Sequence, residues 1–398
     1  MRILYICPLI PSASGNGGRR AAYNHLLDLC DESIQIDAVL VDVEESRESL
    51  PVLSTNINAR VFSRAIPKFD SGYRSKIIAL LEHFINRLPR AVRVIASKEA
   101  REFIQSALKT QRYDAIVMEH LNAYGLICGI KTNVPLIYIA HNVEAAVLED
   151  QISQISRWKP TRMLRKMDIG KVVSLELELC RAAKRIVLIS STDSVIPPMP
   201  SFHDKLAIWP ELPTPKTSLW QPNNHKRLLF VGSAKYFPNR DAIEWLAGTL
   251  LPRLRQSDPA ITLNIAGTAI NEINQAFHTQ GVHYLGFVSE SELERLHVES
   301  TLFICPVVLG GGIKIKVLEA SSYGIPIVAT NESLNGIEYL SEHAIRLARD
   351  SCPDIENIHR LLSDTNELTR ISNATIVVLN NARDQRVTLK RIITCMGN

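Results

Sequence analysis

Short runs of β-branched and other apolar residues recur along the chain, separated by segments whose apolar positions return every three or four residues. The runs at 3–7, 36–41, 115–118, 136–140 and 186–189 read as buried strands, and 20–30 as a helix. The pattern then repeats, with strands at 228–231, 261–266, 302–306 and 325–329 and helices at 240–254 and 314–323. Late helical periodicity covers 355–363 and 368–389. Alternation of this kind predicts an α/β fold built on parallel sheets. Between the halves, residues 196–225 hold several prolines and little periodicity, which reads as a linker region. The boundary is placed near Pro213, giving domains of 1–212 and 213–398.

Length agrees with this division, because 398 residues exceed one ordinary core. A net charge of +4 gives no argument for nucleic acid. Charge is nonetheless uneven: residues 60–112 carry twelve Lys/Arg against four Asp/Glu, and 157–171 carry six against one. These segments are either solvated faces or a basic apron for an anionic membrane or a phosphate-bearing acceptor. The seven cysteines (Cys7, Cys30, Cys128, Cys180, Cys305, Cys352 and Cys395) are scattered singly without zinc spacing, several of them inside apolar runs. Free thiols in a reducing compartment are expected. The apolar start breaks at Pro11 and reads as a core strand rather than a signal segment. No run approaches the roughly 20 residues that span a bilayer. A cytoplasmic protein is expected, with a possible site at the inner face of the cell membrane.

The densest chemistry lies in GGGIKIKVLEA, residues 310–320. Its glycines fall where a strand hands over to a helix, the place where parallel α/β sheets bind ligands. Glycine permits close backbone approach, and the helix N-terminus offers N–H groups and a positive dipole end to a phosphate. Lys314 and Lys316 add charge. Lys316 and Glu319 share a helix face, where the carboxylate could receive a ribose diol or simply pair with the lysine. A second glycine loop, Gly15, Gly17 and Gly18, follows the first strand, but it lacks the GxGxxG dinucleotide spacing. His141, Asn142 and Glu144 lie just past the strand at 136–140, and a lone histidine there is commonly structural.

The run PVVLGGGIKIKVLEASSYGIPIVAT resembles the donor-binding motif of retaining GT-B glycosyltransferases of the GT4 type, in the triple-glycine branch. Most relatives carry two glutamates spaced E-x7-E; Glu319 matches the second, and Gly311 stands where the first would be. The resemblance continues through FVGSAKYFPNRDAIEWLAGTLLPRLR and VHYLGFVSESELERLHVES in the second half. In the first half it continues through CPLIPSASGNGGRRAAYNHLLDL, PLIYIAHNVEAAVLED and SLELELCRAAKRIVLISSTDS. It implies two Rossmann-like domains facing each other across a cleft, the first acceptor-side and the second donor-binding, with the final helix able to pack back on the first. It implies donor phosphates near Gly17, Gly18, Arg240, Lys314 and Lys316, the ribose on Glu319 and the base near Phe287 and Val288. Ser233 stands at the first position of the family's usual basic pair. The donor sugar would meet His141, Asn142, Gly311 and Gly312, with His141, Lys316 and Glu319 as catalytic candidates. Glu176, Glu178 and Arg181 read as pairs along one helix, and Phe287 has a core aromatic as its alternative.

The implied activity is transfer of a hexosyl-type sugar from a UDP- or GDP-sugar to a hydroxyl, with retention, in polysaccharide or glycoconjugate biosynthesis. The acceptor would be a glycan, a lipid-linked or a small molecule. No metal or other cofactor is required if lysines and the helix dipole meet the leaving-group charge. A sugar-nucleotide epimerase and a non-catalytic scaffold of the same fold are the alternatives; a nicotinamide dehydrogenase is disfavoured by the missing fingerprint.

Overall fold

The computed structural model describes residues 1–12, 17–30, 33–42, 56–65, 85–153, 160–273, 277, 279–386 and 388–394. The chain divides into two units, Met1–Pro210 with Val387–Asn398, and Glu211–Arg386.

In the first unit the apolar runs become β1 (Arg2–Cys7), β2 (Gln35–Asp42), β4 (Ala115–Glu119), β5 (Leu136–Ala140) and β6 (Arg185–Leu188). Two further strands, β3 (Ile57–Ser63) and β7 (Leu206–Ile208), close the sheet's edges. The order is β3-β2-β1-β4-β5-β6-β7, with every pairing parallel. Every residue of β4 and β5 is buried, as a sheet covered on both faces requires. The order reverses between β1 and β4, so the connections after these two strands leave in opposite directions and open a crevice at their carboxyl ends.

The second unit repeats the plan in β8 (Arg227–Val231), β9 (Thr262–Ala266), β10 (Val282–Gly286), β11 (Leu302–Cys305), β12 (Ile327–Ala329) and β13 (Ile345–Arg346). Its order is β10-β9-β8-β11-β12-β13, again all parallel, with the reversal between β8 and β11. The glycine loop 310–312 follows β11 and therefore stands at that reversal.

Three sequence expectations change. The proline-rich stretch links the units but is also anchored: β7 joins the first sheet, and Trp209 is fully buried beside His25. Trp220 anchors in the second unit, its Nε1 donating to the Ser300 carbonyl at 2.7 Å. The break between units falls after Pro210. The helix expected at 368–389 runs from Thr365 to Gln385 and stops. A separate helix, Leu389–Thr394, belongs to the first unit, where the Leu389 N–H donates to Asp28 Oδ2 at 2.7 Å. Cys7, Cys180 and Cys305 are buried free thiols, and none of the described cysteines is paired. No described helix is long and apolar enough to cross a membrane.

Two glycines set how closely β8 and β9 end. Gly267 has φ +148°, and a Cβ there would fall on the Gly232 carbonyl. Gly267→Ala is expected to destabilise the second unit by about 2 kcal/mol or more, measured by urea unfolding.

Candidate functional site

At the carboxyl end of the second sheet, the loop after β11 and the loop after β8 meet. Gly310 and Gly312 take φ +86° and +74°, open to glycine at little strain. A Cβ on Gly310 would lie 2.5 Å from the Tyr236 hydroxyl, so the bare backbone is what lets the two loops approach. Lys314 folds back over its own loop. Its ammonium donates to the carbonyls of Gly310 at 2.7 Å, Gly311 at 3.3 Å and Gly312 at 2.8 Å. It thus holds the loop's shape by satisfying carbonyls. The helix spans Ile315–Ser322, one residue shorter at each end than the expected 314–323, with Lys314 as its cap residue.

Lys316 points under the loop after β8. Its Nζ donates to Asn239 Oδ1 and lies 4.6 Å from the centre of the Phe230 ring. A Cβ on Gly232 would sit 2.8 Å from that ammonium. Burial pushes the lysine's pKa down to about 8, with Lys314 lowering it further and Cys305 opposing. No carboxylate pairs with Lys316 among the described residues. The side chain is half-buried, so its ammonium is only partly desolvated, and a neutral amide and an aromatic face are what meet it. Glu319 is half-buried one turn along the same helix.

Arg240 is engaged elsewhere: Nε donates to the Ala234 carbonyl at 3.1 Å, and Nη2 pairs with Glu272 at 3.5 Å. Ser233 accepts a 2.6 Å hydrogen bond from Thr268. Phe287 follows β10, two strands from β8, and is 80% exposed, which excludes the core-aromatic alternative. Val288 is half-buried against the core.

In the first unit, Gly17 and Gly18 are the first residues of the helix Gly17–Leu29, while Gly15 lies outside the described residues. His141 is 6% exposed and bonds through Nε2 to Glu119 Oε2. Glu119 Oε1 accepts from the Tyr5 hydroxyl and meets His25 Nδ1, each at 2.8 Å. Burial alone would raise the Glu119 pKa; the two histidines outweigh it and hold the carboxyl well below the usual range. His120 stacks on His141 with ring centres 3.6 Å apart. Its own pKa is lowered by burial and by His141. The donor atoms of His25, Glu119 and His141 lie within 4.8 Å of one another, a grouping able to receive a metal ion.

Asn142 is half-buried and bonds to the Glu144 side chain. Glu176 and Glu178 do not pair along their helix. Glu176 accepts from the Glu144 N–H at 2.9 Å, and Glu178 from the Tyr124 hydroxyl at 3.0 Å. Burial raises both Glu144 and Glu176 to about 7.

Sequence reasoning did not find Glu119, His25, His120 or Asn239. Glu119 had a signal: it is the one charged residue in the otherwise apolar AIVME strand, and a histidine follows it. His25 lies 94 residues away and had none.

Residues 225–364 match the family described as Glycosyl transferases group 1. A sucrose-phosphate synthase from Thermosynechococcus elongatus shares the fold with a TM-score of 0.68 at 12% identity, covering 100% of this chain and 98% of that one. HepE from Anabaena, solved in complex with UDP-glucose, gives 0.62 at 16% identity, covering 100% and 98%. An uncharacterized 44.6 kDa protein in the cps region of Klebsiella pneumoniae is 27% identical over 116 residues, 27% of this chain and 30% of that protein's length. The architecture is GT-B, two Rossmann-like domains, as the sequence predicts. Together the matched domain and the fold support a GT-B glycosyltransferase.

The partly desolvated lysine gives a pH test. The unfolded lysine keeps its proton to about 10.5, the folded one to about 8. Between these values the unfolded chain binds more protons, so wild-type stability rises with pH. Lys316→Met removes this slope. Its stability relative to wild type is expected to be most favourable below pH 8 and to decline towards pH 10.5, read by urea unfolding across that range.

Proposed function

We propose that this protein is a retaining glycosyltransferase that moves a hexosyl-type sugar from a UDP- or GDP-sugar to a hydroxyl acceptor. The observation that carries the reading is the Lys316 ammonium, held by Asn239 and the Phe230 ring with no carboxylate partner among the described residues, on the helix that the glycine loop opens. That arrangement suits a diphosphate, with loop N–H groups and the helix dipole completing the charge balance. Glu319 would accept the ribose hydroxyls, and the exposed Phe287 ring would lie against the base. Gly311 and Gly312 would offer backbone N–H groups to the sugar. Lys314 acts indirectly, through the loop it braces.

In the proposed reaction the bond between the anomeric carbon and the diphosphate breaks as negative charge grows on the leaving oxygen. Lys316, already partly desolvated, stabilises that charge without reorganising. The acceptor oxygen then bonds to the oxocarbenium-like carbon on the same face, and its proton leaves with the diphosphate. In the first unit, His141 is the candidate for the donor sugar. A glycan or lipid-linked acceptor in polysaccharide or glycoconjugate synthesis is part of the same reading, and a UDP-sugar is supported by the HepE complex. The cytoplasmic placement and the membrane apron remain part of this proposal; residues 66–84 and 157–159 of the basic segments lie outside the described residues. Because Arg240 and Lys314 are bound internally, a non-catalytic scaffold is the second reading.

Calorimetric titration with UDP, GDP, ADP and TDP separates the two. One nucleotide is expected to bind, and Glu319→Ala to weaken it roughly 10- to 100-fold, the worth of hydrogen bonds to a charged group. A folded wild type that binds none of the four favours the scaffold. His141→Ala is expected to lower turnover at least tenfold while nucleotide affinity stays within about twofold, a split that marks transition-state contact.

A further inference from the structure

Glu119 is fully buried, and so is His25. An ionised carboxylate in such a place costs more than an apolar side chain of similar size unless donors meet its oxygens. Here both oxygens are met. Oε1 takes the Tyr5 hydroxyl and His25 Nδ1, and Oε2 takes His141 Nε2. The donors come from β1, the helix Gly17–Leu29 and the residue after β5, so three elements converge on the carboxylate that ends β4 at the order reversal. Cys7 adds a thiol whose proton is retained well above its ordinary range, by burial and by the Glu119 charge.

An ionised carboxylate can only accept. Each ring nitrogen that faces it must therefore carry a hydrogen. In the neutral His141 ring this fixes the proton on Nε2 and leaves Nδ1 as an acceptor. The ring plane is fixed as well: His120 stacks on one side at 3.6 Å, and the His25 ring lies 5.1 Å away, itself braced by Trp209 at 4.5 Å. His120 holds a left-handed backbone, φ 59°, which a non-glycine residue adopts at a conformational cost.

We propose that Glu119 is the positioning residue of the transfer reaction. It locks His141 in the Nε2–H tautomer and presents Nδ1 as the atom that accepts a hydrogen bond from the donor sugar. His25 and Tyr5 act through Glu119, meeting its other oxygen so that the carboxylate stays ionised and fixed. The role in transfer rests on the glycosyltransferase reading given above; the tautomer does not.

Nitrogen-15 NMR of the histidine rings tests the lock on the wild-type protein without substrate. His141 is expected to show a protonated Nε2 and an unprotonated Nδ1. A protonated Nδ1 with a bare Nε2 overturns the proposal. In Glu119→Gln the fixed tautomer is expected to give way to a mixture, with turnover down at least tenfold and nucleotide affinity within twofold of wild type. Glu119→Asp, which keeps the charge at shorter reach, is expected to recover the tautomer and part of the turnover, and serves alone if the glutamine variant fails to fold. Unchanged turnover in a folded Glu119→Gln overturns the positioning role. Stoichiometric zinc in the purified protein, removable by chelator with a change in the His141 signals, overturns it in favour of a metal site. If the wild type transfers no sugar from any donor, the glycosyltransferase reading fails, and the spectrum still decides whether Glu119 sets the tautomer.

Discussion

Parallel pairing of strands is the constraint on which the molecule depends. Each parallel connection must cross back over the sheet, so helices cover both faces and the strands lose contact with water. Residues of β1, β4 and β5 are consequently apolar almost throughout. Polar chemistry is pushed to the strand ends, and there the order reversal opens room for it. Both units obey this rule independently. The first places Glu119 and His141 at the ends of β4 and β5; the second places the glycine loop at the end of β11.

The same constraint explains what could be read from the sequence. The central strands were legible because burial on both faces writes an unbroken apolar run. The strands that escaped were β3, β7, β10 and β13, and these are the four edges of the two sheets. An edge strand has one neighbour and a wetter face, so β10 alternates half-buried and exposed residues, and β3 carries Arg60. Propensity at such places is weak, and the neighbour decides the conformation. The helix break near residue 387 was hidden for a related reason: the periodicity continues, but Leu389 bonds to Asp28 and belongs to the first unit.

Legibility of the site divides along similar lines. The glycine loop, Lys316 and Glu319 lie within ten residues of one another, and local spacing sufficed to bring them together. What spacing could not assign was the division of labour between two lysines two residues apart. Lys314 turns back to its own carbonyls, because the helix starts at Ile315 and leaves residue 314 at the cap. Lys316, inside the first turn, is directed instead towards Asn239 and Phe230. The cluster around Glu119 depended on tertiary contacts between positions 5, 25, 119 and 141, which no local pattern records.

The two ends differ in how their charges are balanced. Around Glu119 every oxygen is met by a donor from the protein, so this charge is complete within the fold and serves to orient its neighbours. At Lys316 the compensation is partial: an amide oxygen and an aromatic face, with a pKa depressed to about 8 and no carboxylate among the described residues. An ammonium in that state gains more from an arriving anion than a solvated lysine would, because part of its desolvation has already occurred during folding. The fold therefore stores part of the cost of binding in its own stability.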